Sequence, residues 1–390
     1  PDYMVDVARY FEYDANKPYR KYAYFCCLMQ INAPTYVFFN HALGGGANDY
    51  LLKKKAEVLA EKKKYIEFAY NAYHNTYEIS IAYAEYSLKL YANTLEKALS
   101  KIKFSDIHKI YINELVTYPD LYKVLDKIQE LKCISGAEMI MLGHDYFCVC
   151  PTINLLSENG YFCKLVCTEC TGTCEIAKNP FSCDAKYDSV EIWNEKWKKF
   201  LNTCDSIIVF SEDSKQILEK VYKDLCNIQV IPHVTDSMLT INKKYKMSNC
   251  INIGILGVLS ERKGLSIVKK MLNIINRENL SVNIVIVGMC EEDIQDKHCI
   301  ITGKYTRSEL PRLMYLYDID IIFISSVWPE TFSYTAEEAM KMKMPVAVFN
   351  LGAPAERVKN YDKGLIISEM NAECALSQIC EFAQFLVKDI

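Results

Sequence analysis

Glycine is scarce: there are 14 in 390 residues, and before Gly136 the only ones are Gly44, Gly45 and Gly46, side by side. A chain that avoids glycine and then places three together asks the backbone for something a side chain would forbid. Arginine is scarcer, 7 against 38 lysines, with none between Arg20 and Arg262. With no arginine stripe and a net charge of −4, general attraction to nucleic acid or anionic lipid is excluded. No apolar run approaches about 18 residues, so no helical membrane span is expected. The start, Pro1-Asp2-Tyr3, has no signal-peptide character and no Met, which fits a piece of a longer chain.

What is present is ordinary globular material, 51% hydrophobic and 24% charged. At about 150 residues per domain the length suggests two to three domains. Eighteen of the 28 tyrosines fall in residues 1–122, where they read as strand-forming, half-buried aromatics. The 17 cysteines crowd towards Cys148–Cys183. In a long chain without an export signal they read as reduced thiols, and the expected compartment is the cytoplasm.

From Thr35 short apolar runs alternate with amphipathic stretches. Strands are predicted at 36–39, 64–69, 78–84, 108–112, 139–142, 206–210 and 228–231, with helices at 48–62, 119–131 and 190–201. The pattern restarts after the polar stretch Lys243–Asn249. Strands follow at 251–256, 282–287, 299–302, 319–324 and 345–349, and helices at 264–276, 307–316, 334–342 and 372–387. Alternation of this kind predicts doubly wound parallel sheets, with ligands beyond the carboxyl ends of the strands. The expected organisation is a leader or end of a preceding segment (1–32), a first Rossmann-like domain (33–240) with a cysteine-rich insert (148–183), a second Rossmann-like domain (250–371), and a terminal helix (372–390) free to cross back.

Four motifs carry chemistry. Glu330 and Glu338 flank the start of the helix at 334, where first-turn N–H groups suit a phosphate and Glu338 suits ribose hydroxyls; acidic decoration of a helix start is the bland alternative. The turn Gly257-Val-Leu-Ser-Glu-Arg262-Lys263-Gly264 places two cations between a strand and a helix, as a diphosphate site or a solvated charged turn. The run Gly44–Gly46 follows the first strand and lets bare backbone approach a ligand. His144-Asp145 ends a strand of the first half and so faces the same cleft.

In this order, the motifs resemble the retaining glycosyltransferases of family 4, the glycosyl transferases group 1, with the GT-B fold. The likeness rests on Pro-Glu330-Thr-Phe-Ser-Tyr-Thr-Ala-Glu-Glu338-Ala-Met, Gly352-Ala-Pro-Ala-Glu-Arg357, the Arg-Lys-Gly turn and Asn-His-Ala-Leu-Gly-Gly-Gly-Ala-Asn. It spans about residues 33–388, densest in the second half. The resemblance implies an α/β protein of two Rossmann-like domains around an interdomain cleft. It implies a retaining transferase that moves a sugar from a nucleotide sugar to a glycan or lipid-linked glycan acceptor. Lys263 and Arg262 would neutralise the leaving diphosphate, Glu338 would hold the ribose, and Glu330 with Thr331, Phe332 and Ser333 would hold the donor sugar. Gly44, Gly45 and Gly46 would approach the phosphates, and His144 would touch the sugar near the reacting carbon. Val258 stands where many members carry an arginine. No catalytic metal is expected, and Asp318-Ile-Asp320 is read as structural.

A Cys-x2-Cys pair with further thiols nearby suits tetrahedral zinc. Structural zinc is expected on Cys150, Cys163, Cys167 and Cys170, with Cys174 as a substitute; free thiols are the alternative. Peripheral contact with a membrane is compatible with the sequence. Two other readings stay open: a catalytically silent binding or scaffold module of a larger protein, and a nucleotide-sugar epimerase on the same fold.

Overall fold

The computed structural model describes residues 18–100, 102, 106–157, 159–165, 190–234 and 250–388. The first domain is built on β1 (Thr35–His41), β2 (Lys64–Asn71), β3 (Thr76–Tyr83), β4 (Tyr86–Ala92), β5 (Ile107–Ile112), β6 (Glu138–Gly143), β7 (Ser206–Val209) and β8 (Ile228–Val230). They form one sheet in the order β4-β3-β2-β1-β5-β6-β7-β8. The described strands from β2 through β1 to β8 are parallel, but β3 runs antiparallel to both β2 and β4. The doubly wound pattern is therefore corrected on one edge, where two hairpins replace a crossover.

The second sheet is wholly parallel. Its strands are β9 (Ile251–Leu259), β10 (Val282–Cys290), β11 (Cys299–Ile301), β12 (Ile321–Ile324), β13 (Val346–Phe349) and β14 (Gly364–Ile367), in the order β11-β10-β9-β12-β13-β14. Its strands are nearly continuous apolar runs, as expected where helices cover both faces. Gly254 in β9 is a packing requirement: a Cβ there would stand 2.7 Å from Ile319 and 2.8 Å from Ile322.

Residues 18–31, set apart from both halves as part of 1–32, are instead part of the first domain. Helix α1 (Pro18–Gln30) sends Tyr24, Leu28 and Met29 into the core beside β3 and β4. Its carboxyl end is closed by Lys64 of β2, a fully buried lysine whose Nζ donates to Met29 O at 3.3 Å and Ile31 O at 3.2 Å. A cation on the last carbonyls of a helix answers both its unpaired acceptors and its dipole.

Sheet order fixes where a ligand belongs. In the first sheet the chain reverses its direction of winding between β1 and β5, and in the second between β9 and β12. Crevices open beyond the carboxyl ends of such strand pairs. The loops after β1, β5, β9 and β12 carry Gly44–Gly46, Asn113-Glu114, Arg262-Lys263 and Ser326–Glu330.

Candidate active site

These four loops, with the one after β6, line an interdomain cleft of about 770 Å³. Gly44, Gly45, Gly46, His144, Arg262, Lys263, Glu330, Thr331 and Phe332 all stand on its wall. Ser333 caps α9 (Tyr334–Lys341), its hydroxyl accepting from Ala336 N at 3.4 Å. Glu338 lies one turn inside that helix and is buried.

Gly45 sits at φ 105°, ψ −176°, immediately before α2 (Gly46–Ala60). That conformation belongs to glycine, and no side chain caps the helix start there. Gly46 has a different constraint: a Cβ would stand 2.6 Å from the Tyr334 ring of the second domain. Gly44 has open space around it. Gly264, at φ 88°, closes the cationic turn; a Cβ there would fall 2.1 Å from Ser325 O.

The charged groups are paired across the cleft loops. Lys263 Nζ lies 2.6 Å from Glu330 Oε1, which also accepts from the Ser326 hydroxyl. Arg307 reaches Glu338 with Nε at 2.7 Å and Asp49 of α2 at 3.1 Å, so one guanidinium joins the two domains. Burial pushes the Glu338 carboxyl up, against the pull of Arg307. Thr331 adds a second link, its hydroxyl donating to His144 O at 2.6 Å.

His144 is clamped between rings. Phe210 stacks on it at 4.7 Å, with Tyr50 at 5.2 Å and His233 at 5.5 Å. Burial, with His233 and His41 close by, holds its pKa well below the ordinary histidine range, so the ring is neutral near pH 7. His233 is itself lowered to about 3 by burial and by Arg357, and its Nδ1 meets the Tyr334 hydroxyl at 3.1 Å.

One carboxyl group in the cleft, Glu114, escaped the sequence reading, and it stands beside Asp145, which was read there together with His144. Glu114 follows β5 and Asp145 follows β6; both line the cleft, Glu114 buried and Asp145 half-buried, and each bears on the ionisation of the other. Burial and the Asp145 charge drive Glu114 well above the usual carboxylate range. Asp145 is raised to about 6 by burial, despite the Phe147 N–H donating to it at 2.8 Å and the charge of Arg262. Residues 31 apart give no spacing signal; adjacency of β5 and β6 is what joins them.

Asp318 and Asp320 lie elsewhere. Asp320 accepts from Asn252 N at 2.9 Å and Asp318 O accepts from the Asn252 amide at 3.1 Å, at the amino end of β9 and away from the cleft. Cys150 is buried, with its Sγ 3.2 Å from Thr152 Oγ1, and Cys163 is half-buried. Cys167, Cys170 and Cys174 lie outside the described residues. Among the described residues no three His, Cys, Asp or Glu side chains converge as a metal site. No described helix is long and apolar enough to cross a membrane.

Residues 240–383 match the family of glycosyl transferases group 1. That segment holds the cationic turn, Glu330 and Glu338, and so supplies one wall of the cleft. No curated protein sequence matches the chain. Among solved structures, the sucrose-phosphate synthase of Thermosynechococcus elongatus superposes with a TM-score of 0.57 at 14% identity, over 91% of this chain and 92% of that one. Anabaena HepE in complex with UDP gives 0.54 at 14% identity, over 91% and 90%. The lipopolysaccharide outer core galactosyltransferase WaaB gives 0.54 at 10% identity, over 90% and 91%. The fold is GT-B, as the resemblance implied.

Proposed function

We propose that the protein is a retaining glycosyltransferase that moves a sugar from a nucleotide sugar to a glycan or lipid-linked glycan acceptor. One observation carries the reading: Lys263, Glu330 with the start of α9, the glycine run and His144 come from four loops and meet on one cleft. HepE, with the same fold, is described in complex with UDP and with UDP and glucose.

Breaking the anomeric bond builds negative charge on the diphosphate and positive charge on the sugar. Lys263 and Arg262, with first-turn N–H groups of α9, line the cleft where they would stabilise that charge. Same-face attack, with the leaving phosphate taking the acceptor's proton, gives retention. Glu330 suits donor binding better than nucleophilic attack, because its Oε1 is engaged by both Lys263 and Ser326. Glu338 would hold the ribose once Arg307 yields one of its two partners.

A nucleotide-sugar epimerase gains support from one observation, the neighbouring carboxyls of Glu114 and Asp145 in the cleft, both held above the usual carboxylate range as an acid and base would need. One assay separates the readings. The protein is incubated with a panel of nucleotide sugars, with and without chelator, and followed by nucleotide release, sugar-nucleotide identity and thermal shift. Transfer or hydrolysis releases nucleotide, whereas epimerisation yields a new nucleotide sugar. No stabilisation by any nucleotide sugar or nucleoside diphosphate overturns both. Zinc on Cys150, Cys163, Cys167 and Cys170 (Cys174 replacing one) is a separate proposal; metal analysis far below one zinc per chain removes it.

A further inference from the structure

A line of polar side chains crosses the first sheet just at the cleft, one from each of four neighbouring strands. Glu67 comes from β2, Asn40 from β1, Asn113 from the end of β5 and His144 from the end of β6, and these strands are adjacent in that order. Glu67, Asn40 and Asn113 are buried. Lys55 of α2 holds Glu67 Oε2 at 2.5 Å. Asn40 Nδ2 lies 3.0 Å from Glu67 Oε1, Asn113 Nδ2 lies 2.8 Å from Asn40 Oδ1, and Asn113 Oδ1 lies 3.0 Å from His144 Nε2.

The direction of every bond in this line is determined by its ends. A carboxylate paired with lysine only accepts, so Asn40 must turn its amide nitrogen to Glu67 and its oxygen to Asn113. Asn113 must then present its nitrogen to Asn40. A second acceptor agrees, because the same nitrogen lies 3.3 Å from the backbone oxygen of Ala47. The Asn113 oxygen is therefore what faces the imidazole, and an oxygen without hydrogen requires a donor opposite it. Rotating either amide to reverse the line would set oxygen against oxygen at Glu67 or Ala47, two buried contacts that each cost a hydrogen bond.

We propose that Lys55, Glu67, Asn40 and Asn113 form a positioning relay that fixes the proton of the His144 imidazole on Nε2 and presents Nδ1 as a hydrogen-bond acceptor. Phe210 and Tyr50 hold the plane of the ring, and the relay decides which nitrogen carries hydrogen. An acceptor at that point takes a hydrogen bond from a hydroxyl and gives nothing to a carbonyl or ether oxygen. On the reading of the cleft as the donor site, His144 selects a sugar that brings a free hydroxyl there. Glu67, some way from the cleft wall, thus acts on the ligand through three intermediaries.

The test is nitrogen-15 NMR of the histidine rings in the full chain without any ligand, at pH 6.5 to 8, with His144 identified by the signal lost in His144→Gln. Wild type is expected to show a protonated Nε2 and an unprotonated Nδ1. Asn113→Leu and Glu67→Ala are expected to lose that pattern, while Asn113→Asp, which keeps an acceptor at the ring, retains it. Circular dichroism and melting confirm that each variant is folded, and a variant that fails to fold is replaced by Asn40→Leu, which cuts the line one step away. A protonated Nδ1 in wild type, or an unchanged pattern in folded Glu67→Ala and Asn113→Leu, overturns the relay. Because no ligand is present, this result is independent of the nucleotide-sugar panel: the panel can fail while the tautomer stands.

Discussion

Three consecutive glycines carry three different constraints. Gly44 has a negative or extended φ and open space, Gly45 has a positive φ, and Gly46 has the Tyr334 ring where its Cβ would be. Gly44→Ala is expected to keep nucleotide-sugar turnover within about twofold. Gly45→Val forces a β-branched residue into a glycine-only conformation, a strain of roughly 1–3 kcal/mol or more. Turnover should fall at least tenfold, and a normal rate in that variant would refute the role of the turn. The carboxyl pair gives a pH signature. Glu114 and Asp145 are both raised in the folded protein above ordinary values of about 4, so the folded state keeps protons that the unfolded chain releases. The contribution of Asp145 to stability is complete below about pH 4 and is lost as pH rises through about 6. Asp145→Asn should therefore gain on wild type in melting temperature between pH 4.5 and 7; a constant difference would show that the pair does not titrate there.

Elements were legible where their signal is local. The helix predicted at 190–201 is found at Val190–Leu201, and its stripe buries Trp193, Trp197 and Phe200. The central strands were placed within a few residues for the same reason. The β4 edge strand was missed because its turn at Ala84-Glu85 contains no Gly or Asn, although Ala84 adopts φ 50°. Helix α6 (Glu212–Val221) was missed despite a serine N-cap, since its apolar face is short. In the site, Arg262, Lys263 and Glu330 were visible as loop chemistry next to strands. Glu114 was not, because what makes it notable is a partner on another strand. The turn between β9 and α7 (Leu265–Glu278) offers a test at this scale. Gly264→Ala would drive a methyl into Ser325 O and impose strain at φ 88°. A loss of about 1–3 kcal/mol in urea unfolding is expected, with the loop after β12 displaced and donor turnover reduced alongside.

Several directed contacts join the two domains at the cleft. Arg307 spans Glu338 and Asp49, Thr331 bonds to the backbone of His144, and Tyr334 packs on Gly46. Phe332 inserts into the first domain's cluster with Phe38 and Leu51. The cleft is thus held closed by groups that a nucleotide sugar would itself engage. Arg307→Ala should open the cleft, seen as a larger radius of gyration by small-angle scattering, and an unchanged radius would deny Arg307 that role. Sequence could reveal Arg307 as a rare arginine but not its span, since Asp49 and Glu338 lie in different domains.

The pairing of Lys263 with Glu330 also gives the site a counter-ion store of its own. A lysine whose charge is already answered attracts an arriving diphosphate less strongly than an isolated one, and salt has correspondingly less to screen. Each turnover would exchange an internal anion for an external one, and the returning glutamate would help expel the product. Neutralising that internal anion should decouple the two ends of the cycle: Glu330→Gln is expected to bind free nucleoside diphosphate more tightly than wild type, with steeper salt dependence in calorimetry, while turning over nucleotide sugar at least tenfold more slowly. Equal affinity in the two proteins would mean that the ion pair takes no part in release.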